Sequence, residues 1–251
     1  MSSPRVKLLW TGGWDSTFRL LDLALVQQRE VQPYYVVDTI LRPSYEHEIE
    51  TMRGLRERLP AALVAPTAFR NAANVPEDRK ITENWRRLRS RSHLGSQYDW
   101  LARLAAAEGL HDLELAIHRD DRAHAFLEPH VERRGDAFAL RPGADPDLSI
   151  FARFRFPLFE MTKLEMQAVA ERDGFAELLE RTWFCATPTS RGRPCGVCGP
   201  CRYAREEGLA RRIPLSGHAR YQRNRVKARI GRTAVGRPLV AFVRRRRQGA
   251  A

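Results

Sequence analysis

VKLLWTGGWDST, at residues 6–17, combines a short apolar run, a glycine pair and a polar turn. The run Val6–Trp10 predicts a buried strand, and the apolar residues from Phe18 to Leu25 recur at helical spacing. These residues therefore predict a strand, a tight turn and a helix, in that order. A turn of this kind offers backbone N–H groups and a helix amino terminus to a phosphate.

The turn carries side chains that suit a phosphate site. Gly12 and Gly13 permit a close backbone approach and a positive φ, and Ser16 and Thr17 add hydroxyl donors at the start of the helix. Asp15 cannot donate to a phosphate while ionised, so we expect it to orient the loop or to reach a Mg²⁺. The turn matches neither a Walker loop nor a dinucleotide G-x-G-x-x-G. A plain turn with an Asp or Ser helix cap is the alternative.

The rest of the chain alternates between the two kinds of secondary structure. The predicted elements are strands at 31–38, 62–65 and 113–117, and helices at 45–59, 94–110 and 163–173. Residues 69–91 are Arg-rich without a clear period and predict a loop or lid. The alternation predicts an α/β fold, Rossmann-like, with a parallel sheet and helices on both faces. Ligands would collect beyond the carboxyl ends of the strands, near residues 11–16, 38–42 and 118–121.

Composition bounds the class of protein. The 251 residues are 43% hydrophobic, which suffices for a sizeable core and excludes a disordered or fibrous chain. No run approaches the ~20 apolar residues that a membrane helix needs, and residues 1–5 do not resemble a signal peptide. We expect a soluble, cytoplasmic protein with no membrane partner. A homodimer is one alternative for its assembly.

The positive charge is concentrated at the end of the chain. The net charge is 43 − 30 = +13, and residues 211–251 contain thirteen Lys and Arg and no acid, including Arg244–Arg247. The sequence therefore predicts three regions, an α/β nucleotide-binding domain at 1–150, a helical subdomain with the cysteines at 151–212, and a basic tail at 213–251. The tail suggests RNA or another anionic partner. A solvated extension is the alternative.

All four cysteines lie within seventeen residues, spaced C-x9-C-x2-C-x2-C at Cys185, Cys195, Cys198 and Cys201. This spacing lets four thiolates reach one tetrahedral point and predicts a structural Zn²⁺ site. An iron–sulfur cluster is the main alternative, and disulfides are disfavoured by the two-residue gaps and the expected compartment. Four thiolates leave no open position for a substrate, so the metal would stabilise the subdomain.

Several of these motifs together resemble a known family. The loop TGGWDST is similar to the S-G-G-x-D-S signature of PP-loop ATP pyrophosphatases, with Thr11 in place of the serine. PLFEMTK at 157–163, TWFC at 182–185 and PCGVCGPC at 194–201 resemble the P-L-x-x-x-T-K, T-W-S-C and C-G-x-C-x-x-C blocks of 7-cyano-7-deazaguanine synthase. Order and separations agree over about residues 6 to 209.

The resemblance implies an ATP-dependent C–N ligase. In that family a carboxylate, here 7-carboxy-7-deazaguanine or a related acid, attacks the α-phosphorus of ATP and releases pyrophosphate. Ammonia then displaces the acyl adenylate to give an amide, which a second ATP activates for dehydration to a nitrile. The implied catalytic residues are Asp15, Ser16 and Lys163. The residues implied to hold ATP and Mg²⁺ are Trp10, Thr11, Gly12, Gly13, Asp15, Ser16, Thr17 and Asp38.

The resemblance is weaker where the family binds its substrate. His47 and Glu50 stand at the family's His-x-x-Glu, and Ser96 and Asp120 fall in the segments that contact the deazapurine. Those segments otherwise differ, because residues 92–97 lack the family's Arg-Asn pair and residues 116–122 retain only an Asp. These four residues are the predicted substrate contacts, and the identity of the acid and the nitrogen donor stay open. A plain polar helix face is the alternative for His47 and Glu50.

Two other functions fit the same sequence. One is a PP-loop tRNA-modifying enzyme that adenylates a base and holds RNA with its basic tail. The other is a non-catalytic or partner-dependent module that acts on a protein.

Overall fold

The computed structural model describes residues 4–40, 42–91 and 94–232. The chain divides into two compact units, Met1–Phe184 and Cys185–Ala251. Arg244–Arg247, part of the predicted basic tail, lie outside the described residues, as does His93. Within the described ranges, no helix is both long enough and apolar enough to cross a bilayer.

The first unit alternates strands and helices as the sequence predicts. Its strands are β1 (Val6–Leu9), β2 (Val31–Val37), β3 (Ala68–Asn71), β4 (Leu113–Glu114), β5 (Val131–Arg134), β6 (Ala137–Leu140) and β7 (Phe154–Arg155). Its α-helices are α1 (Trp14–Leu21), α2 (Tyr45–Arg56), α3 (Arg79–Arg91), α4 (Gln97–Ala107), α5 (Arg122–Leu127), α6 (Lys163–Arg172) and α7 (Ala176–Glu180). A π-helical turn, Asp22–Val26, continues α1, and short 3-10 turns include Pro146–Phe151.

Five of the strands form one parallel sheet in the order β3-β2-β1-β4-β7. The chain moves outward in one direction from β1 to β3, then crosses back to place β4 on the other side of β1. In such sheets the crevice beyond the carboxyl ends of the two strands at the reversal is the usual ligand site. Here that crevice lies beyond β1 and β4, where the glycine turn follows Leu9.

Both faces of this sheet are covered, as the alternating side chains of β2 indicate. The Tyr35 hydroxyl donates to Glu48 of α2 on one face. Val36 and the half-buried Tyr34 belong instead to the apolar cluster formed with α4. The fold is therefore α/β, with a five-stranded parallel sheet flanked by helices, which confirms the predicted fold class at this level.

The structure corrects the predictions for two segments. Residues 69–91, predicted as a loop or lid, contain most of β3 and all of α3. Residues 62–65, predicted as the third strand, provide only a single bridge between Val64 and Val31. Strand β3 begins four residues after Val64 and pairs along its full length with β2.

The region after residue 150 also differs from the predicted division. Strand β7 forms the edge of the five-stranded sheet beside β4, and Phe151, Phe154 and Phe156 are buried in the main cluster. Because this strand completes the sheet, residues 151–184 belong to the first unit and the compact boundary falls at residue 184.

In its described part, residues 185–232, the second unit contains the cysteines and two α-helices, α8 (Gly199–Glu206) and α9 (Leu215–Arg232). The two helices are joined through a short 3-10 turn, Ala210–Arg212. Gly196 and Gly217 approach so closely that a Cβ on Gly196 would lie 2.4 Å from the Gly217 carbonyl oxygen. The start of α9 is thus packed directly on the cysteine segment.

Candidate functional site

The glycine turn connects β1 to α1 as the sequence predicts. Gly12 has a φ of +67°, and a Cβ there would lie 3.1 Å from Met52 Cγ. A side chain at this position would therefore be both strained and crowded. The Gly12 carbonyl accepts a 2.9 Å hydrogen bond from the Trp183 backbone N–H. Gly13 immediately precedes α1, so its N–H belongs to the unpaired donors of a helix amino terminus.

The two hydroxyls of the turn have different surroundings. Ser16 Oγ accepts from the Thr11 N–H at 3.2 Å and lies 3.2 Å from Thr11 Oγ1, and both residues line a cavity. Thr17 Oγ1 instead accepts a 2.9 Å hydrogen bond from Trp10 Nε1, and both of those side chains are fully buried. Trp10 and Thr17, predicted as nucleotide contacts, therefore lie in the core and stabilise the turn, and neither lines the cavity.

The cavity at the turn has a volume of about 330 Å³, within the range of small-molecule sites. Its apolar lining comes from strand residues and α4, and consists of Leu9, Val36, Leu101, Leu115 and Ile117. Its charged and hydroxyl-bearing lining consists of Thr11, Asp15, Ser16, Asp38, Arg42 and Asp121. Ser96, Gln97, Tyr98 and Trp100 also line it. The cavity thus offers both apolar and charged groups to a ligand.

Asp15 and Lys163, predicted together as catalytic residues, meet at this site. Lys163 Nζ lies 3.5 Å from Asp15 Oδ1, and the lysine side chain is only 15% exposed. Asp15 Oδ1 is buried and has no hydrogen-bond partner among the described residues. The lysine is the first residue of α6, which begins with a capping box between Thr162 and Glu165. The capping box fixes the start of α6, and with it the backbone position from which Lys163 reaches Asp15.

His118 also belongs to this cluster. The sequence analysis predicted that residues 118–121 lie at the ligand-binding edge of the sheet but did not single out this histidine. The side chain is buried, and its Nε2 lies 3.7 Å from Asp15 Oδ2. Its Nδ1 accepts the Asp120 N–H at 3.2 Å, so in the neutral ring the proton is on Nε2, facing Asp15. The only available signal was its position, directly after the strand predicted at 113–117.

Asp38 follows β2 and is buried at the cavity wall. Its Oδ1 accepts the Ile40 N–H at 3.0 Å, so this carboxylate also holds the loop in place. Arg42, on the same loop, lies 3.4 Å from Glu48 Oε1. The buried Glu48 accepts from Tyr35 at 2.9 Å. Burial and the charge of Glu48 raise the pKa of Tyr35.

The predicted substrate residues are divided between the cavity and the surface. Ser96 lines the cavity, but Asp120 does not; its neighbour Asp121 takes that place. Asp121 caps α5 by accepting the Ala123 N–H at 2.8 Å. Burial raises the pKa of the Asp121 carboxyl, and the charge of Asp15 adds to this effect.

His47 and Glu50 lie outside the cavity lining. Glu50 is exposed on α2. The His47 ring packs on the Trp183 ring with centroids 4.7 Å apart. Since the Trp183 backbone pairs with Gly12, this ring pair supports the glycine turn from the side.

The four cysteines form one cluster in the second unit. Their sulfur atoms all lie within 4.8 Å of one another, with Sγ–Sγ distances of 3.9 Å for Cys185–Cys198 and for Cys195–Cys201. These separations exclude disulfides, whose sulfurs are about 2.05 Å apart. A tetrahedral ion with metal–sulfur bonds of about 2.3 Å requires sulfurs about 3.8 Å apart. The cluster therefore has the dimensions of a site for a single metal ion.

Backbone N–H groups point at these sulfurs, as expected for thiolate ligands. The Cys195 N–H donates to Cys185 Sγ at 3.2 Å and the Gly196 N–H donates to Cys201 Sγ at 3.3 Å. Hydrogen bonds from the Cys185 and Cys201 thiols lower the pKa of Cys198. Gly196 makes the tight turn between two ligands at a φ of +79°.

Comparison with known proteins adds no assignment to these sites. No protein-family model matches the chain. Among curated proteins there is no match either.

Proposed function

We propose that this chain is an ATP-dependent enzyme of the PP-loop type that adenylates a carboxylate. The observation that carries the proposal is the position of the glycine turn. It opens into a cavity at the point where the strand order reverses, and the half-buried Lys163 ammonium lies against Asp15 of the same turn. The resemblance of residues 157–163 to the family's lysine block supports the same reading.

The glycine turn at the cavity suits a polyphosphate. The amino terminus of α1, the Gly13 N–H and the Ser16 hydroxyl would donate to phosphate oxygens. Lys163 would add a mobile point charge. Mg²⁺, when bound, would neutralise phosphate charge. Asp15 is the residue suited to hold it, because its Oδ1 has no hydrogen-bond partner among the described residues.

The apolar side chains of the cavity suit a purine ring. Val36, Leu101 and Ile117 would pack against its faces. The buried Trp100 also lines the cavity, and its Nε1–H lacks a hydrogen-bond partner in the described part of the chain. A buried unsatisfied donor is costly, so a ligand acceptor here would stabilise the complex. Asp38, at the end of β2, is placed to accept from ribose hydroxyls.

The first chemical step is displacement at the α-phosphorus. A carboxylate oxygen of the acid would form a bond to phosphorus while the bond to the bridging oxygen breaks, so that pyrophosphate leaves. Negative charge then grows on the leaving group, and fixed donors stabilise it without having to reorganise. In this proposal, Ser16 and the Gly13 backbone N–H would be the fixed donors, and the Lys163 ammonium would move to the leaving pyrophosphate.

The second step would convert the acyl adenylate to an amide. Ammonia would attack the acyl carbon, AMP would leave and one proton would be released. The amide oxygen would then attack the α-phosphorus of a second ATP and release pyrophosphate. Loss of two protons and of AMP, which carries that oxygen away, would give the nitrile, as in 7-cyano-7-deazaguanine synthases. Of the four predicted substrate contacts only Ser96 lines the cavity. The sequence resemblance therefore supports the substrate class by itself, and on that ground we propose 7-carboxy-7-deazaguanine or a related acid.

For the cysteine cluster we propose Zn²⁺ in a structural role. The sulfur separations fit one tetrahedral ion, and all four ligands come from the protein, which leaves no open position for chemistry. Reduced thiolates are typical of intracellular proteins. We therefore place the chain in the cytoplasm.

The deciding experiment is ATP–pyrophosphate exchange by the full chain, with 7-carboxy-7-deazaguanine as the first acid. The proposal expects acid-dependent exchange and, with ammonium present, release of AMP. ATP binding by calorimetry without exchange for any acid would favour a non-catalytic module instead. Exchange that needs tRNA in place of an acid would favour the tRNA-modifying alternative.

A further inference from the structure

The second half of α9 is exposed and strongly basic. Every residue from Gln222 to Arg229, the segment we call the basic segment, is exposed to solvent. Four of its eight residues are cationic, and these are Arg223, Arg225, Lys227 and Arg229. No acid occurs anywhere in residues 211–251 to neutralise them. A partner with many negative charges would complement such a segment.

The charges lie on two opposite sides of the helix. Since an α-helix turns by about 100° per residue, Arg223 and Lys227 fall within about 40° of each other. Arg225 and Arg229 form a second pair, about 200° further round. Asn224 and Ala228 occupy the arc between the two basic stripes, and Gln222 and Val226 occupy the arc opposite. Both of these faces are thus flanked by positive charge, and the one with Asn224 and Ala228 carries a polar and a small side chain.

The first half of α9 is held by contacts within the second unit. Arg220 Nε donates to the Cys195 carbonyl at 2.8 Å. Arg205 Nη2 lies 3.4 Å from the Gly196 and Gly217 carbonyl oxygens, and its guanidinium lies 4.4 Å from the centre of the Tyr221 ring. The basic segment is therefore continuous with a helix whose first turns are bonded to the rest of the second unit.

We propose that the basic segment binds duplex DNA of B form, with Asn224 and Ala228 facing the floor of the major groove and the two stripes facing its phosphate walls. The major groove is about 12 Å wide and admits an α-helix, whose diameter with side chains is about 10–12 Å. Two walls of phosphate match two basic stripes. Asn is also a side chain that can bind adenine edges.

Other anionic partners match this pattern less well. A membrane surface is flat and would be met by one side of the helix only, and it requires an apolar face. The only large aliphatic side chain of the basic segment is Val226, which is 54% exposed. A protein interface needs an apolar or aromatic core, which the segment lacks. The deep groove of duplex RNA is too narrow for side chains to read.

The first test measures binding of the full chain to a short fluorescein-labelled DNA duplex by fluorescence anisotropy. The test variant is Arg223→Gln/Arg225→Gln/Lys227→Gln/Arg229→Gln. The matched control is Arg79→Gln/Lys80→Gln/Arg86→Gln/Arg89→Gln, which removes the same charge from exposed positions of α3. In the test variant we expect the slope of log K against log salt to become shallower by about 3 to 4 units, at about 0.9 per phosphate contact. The control should keep the wild-type slope. Equal losses in the two variants, or no binding by the wild type, would overturn the proposal.

The second test asks which face enters the groove. Asn224→Asp and Gln222→Glu add the same charge on opposite faces of one helix. We expect Asn224→Asp to weaken DNA binding about tenfold more than Gln222→Glu, because the new carboxylate faces the groove. Equal effects, or equal binding of single-stranded RNA, duplex RNA or anionic vesicles by the wild type, would contradict groove binding. No nucleotide or acid is needed in either test, so their outcome is independent of the adenylation proposed above.

Discussion

The Lys163 ammonium lies 3.5 Å from the Asp15 carboxylate, joining the start of α6 to the first turn of α1. This pair brings a helix from late in the unit to the glycine turn that follows β1. Lys163 is one of four lysines in a chain with 39 arginines. A compact ammonium that can move from a carboxylate to a phosphate oxygen is what the proposed chemistry requires.

Lys163→Met should abolish most of the adenylation while leaving the fold intact. Loss of one donor to a developing anion reduces kcat on the order of 100- to 1000-fold, and pyrophosphate exchange would measure it. The matched control is Lys80→Met, which removes a lysine from the exposed side of α3 and should leave exchange unchanged. If both variants exchange pyrophosphate at the wild-type rate, Lys163 has no part in the reaction.

A second, buried ion pair joins Arg19 of α1 to Glu114 of β4 and has a structural role. Arg19 Nε and Nη2 each donate to Glu114 at 2.8 Å, and both residues are buried. Burial opposes the charge of Arg19, but the hydrogen bonds and charge of Glu114 outweigh it and raise the pKa of Arg19. The arginine also lies 3.1 Å from Asp22. This network ties α1 to β4, the two elements on either side of the proposed site.

Arg19→Met should lower the free energy of unfolding by about 3–5 kcal/mol, because it leaves the Glu114 carboxylate buried without its partner. Chemical denaturation at neutral pH measures the change. Arg5→Met is the matched control, since Arg5 pairs with Glu30 at the surface, where such a pair is worth about 0–1 kcal/mol. A loss in Arg19→Met no larger than in Arg5→Met would show that the buried network does not stabilise the fold.

The elements that could be predicted are those whose periodicity is local. Strand β1 and helix α1 follow from an apolar run, two glycines and a helical repeat. Helix α3 was missed because its apolar positions, Ile81, Trp85 and Leu88, are spaced among six Lys and Arg residues. Its arginines pair with distant acids, as in the 2.7 Å contact between Arg87 Nε and Asp147 Oδ1. Such long-range pairs have no signature in the local sequence.

The same limit applies to the candidate site. The turn residues and Lys163 could be predicted because motifs carry them, and the cysteines because their spacing is that of a metal site. The positions of the His118 and Asp121 side chains depend on the conformation of the loop after β4, in which His118 Nδ1 accepts the Asp120 N–H. That conformation has no local sequence pattern. Trp10 and Thr17 belong to the motif, yet they bond to each other inside the core. A motif identifies a loop, whereas only the fold decides which of its side chains face the cavity.

The cysteine cluster predicts one metal ion per chain. Elemental analysis of the purified protein should find about one zinc atom per chain and little iron. Cys198→Ser should lose the metal and expose the second unit to proteolysis between residues 185 and 232, since structural metal binding is coupled to folding. Cobalt substitution should give a tetrahedral thiolate spectrum. Iron with acid-labile sulfide would contradict the zinc assignment and favour a cluster.

Asp121 and Asp145 each cap a short helical segment in the first unit. Their contributions to the free energy of unfolding should change with pH in opposite directions. Burial raises the pKa of Asp121 above its ordinary value of 3.8, so the folded state keeps that proton to a higher pH than the unfolded chain does. Its contribution to the free energy of unfolding therefore decreases as pH rises through the window above 3.8. Asp145 is the opposite case. A hydrogen bond from Arg91 lowers its pKa below 3.8, so its contribution is present at neutral pH and is lost on acidification.

Asn can accept the same capping hydrogen bonds without the charge, which makes Asp121→Asn and Asp145→Asn a matched pair. Relative to the wild type, Asp121→Asn should gain stability as pH rises from about 4 to about 7, because the variant removes a carboxylate whose ionisation is unfavourable in the folded state. Asp145→Asn should lose stability as pH rises from about 2 to about 5, the window around and below 3.8, because it removes a carboxylate that Arg91 stabilises when ionised. Urea denaturation of the wild type and both variants at pH values of about 2, 4, 5 and 7 gives the comparison. If the two variants change in the same direction, the environment of Asp121 at the cavity wall is not one that favours its protonated form.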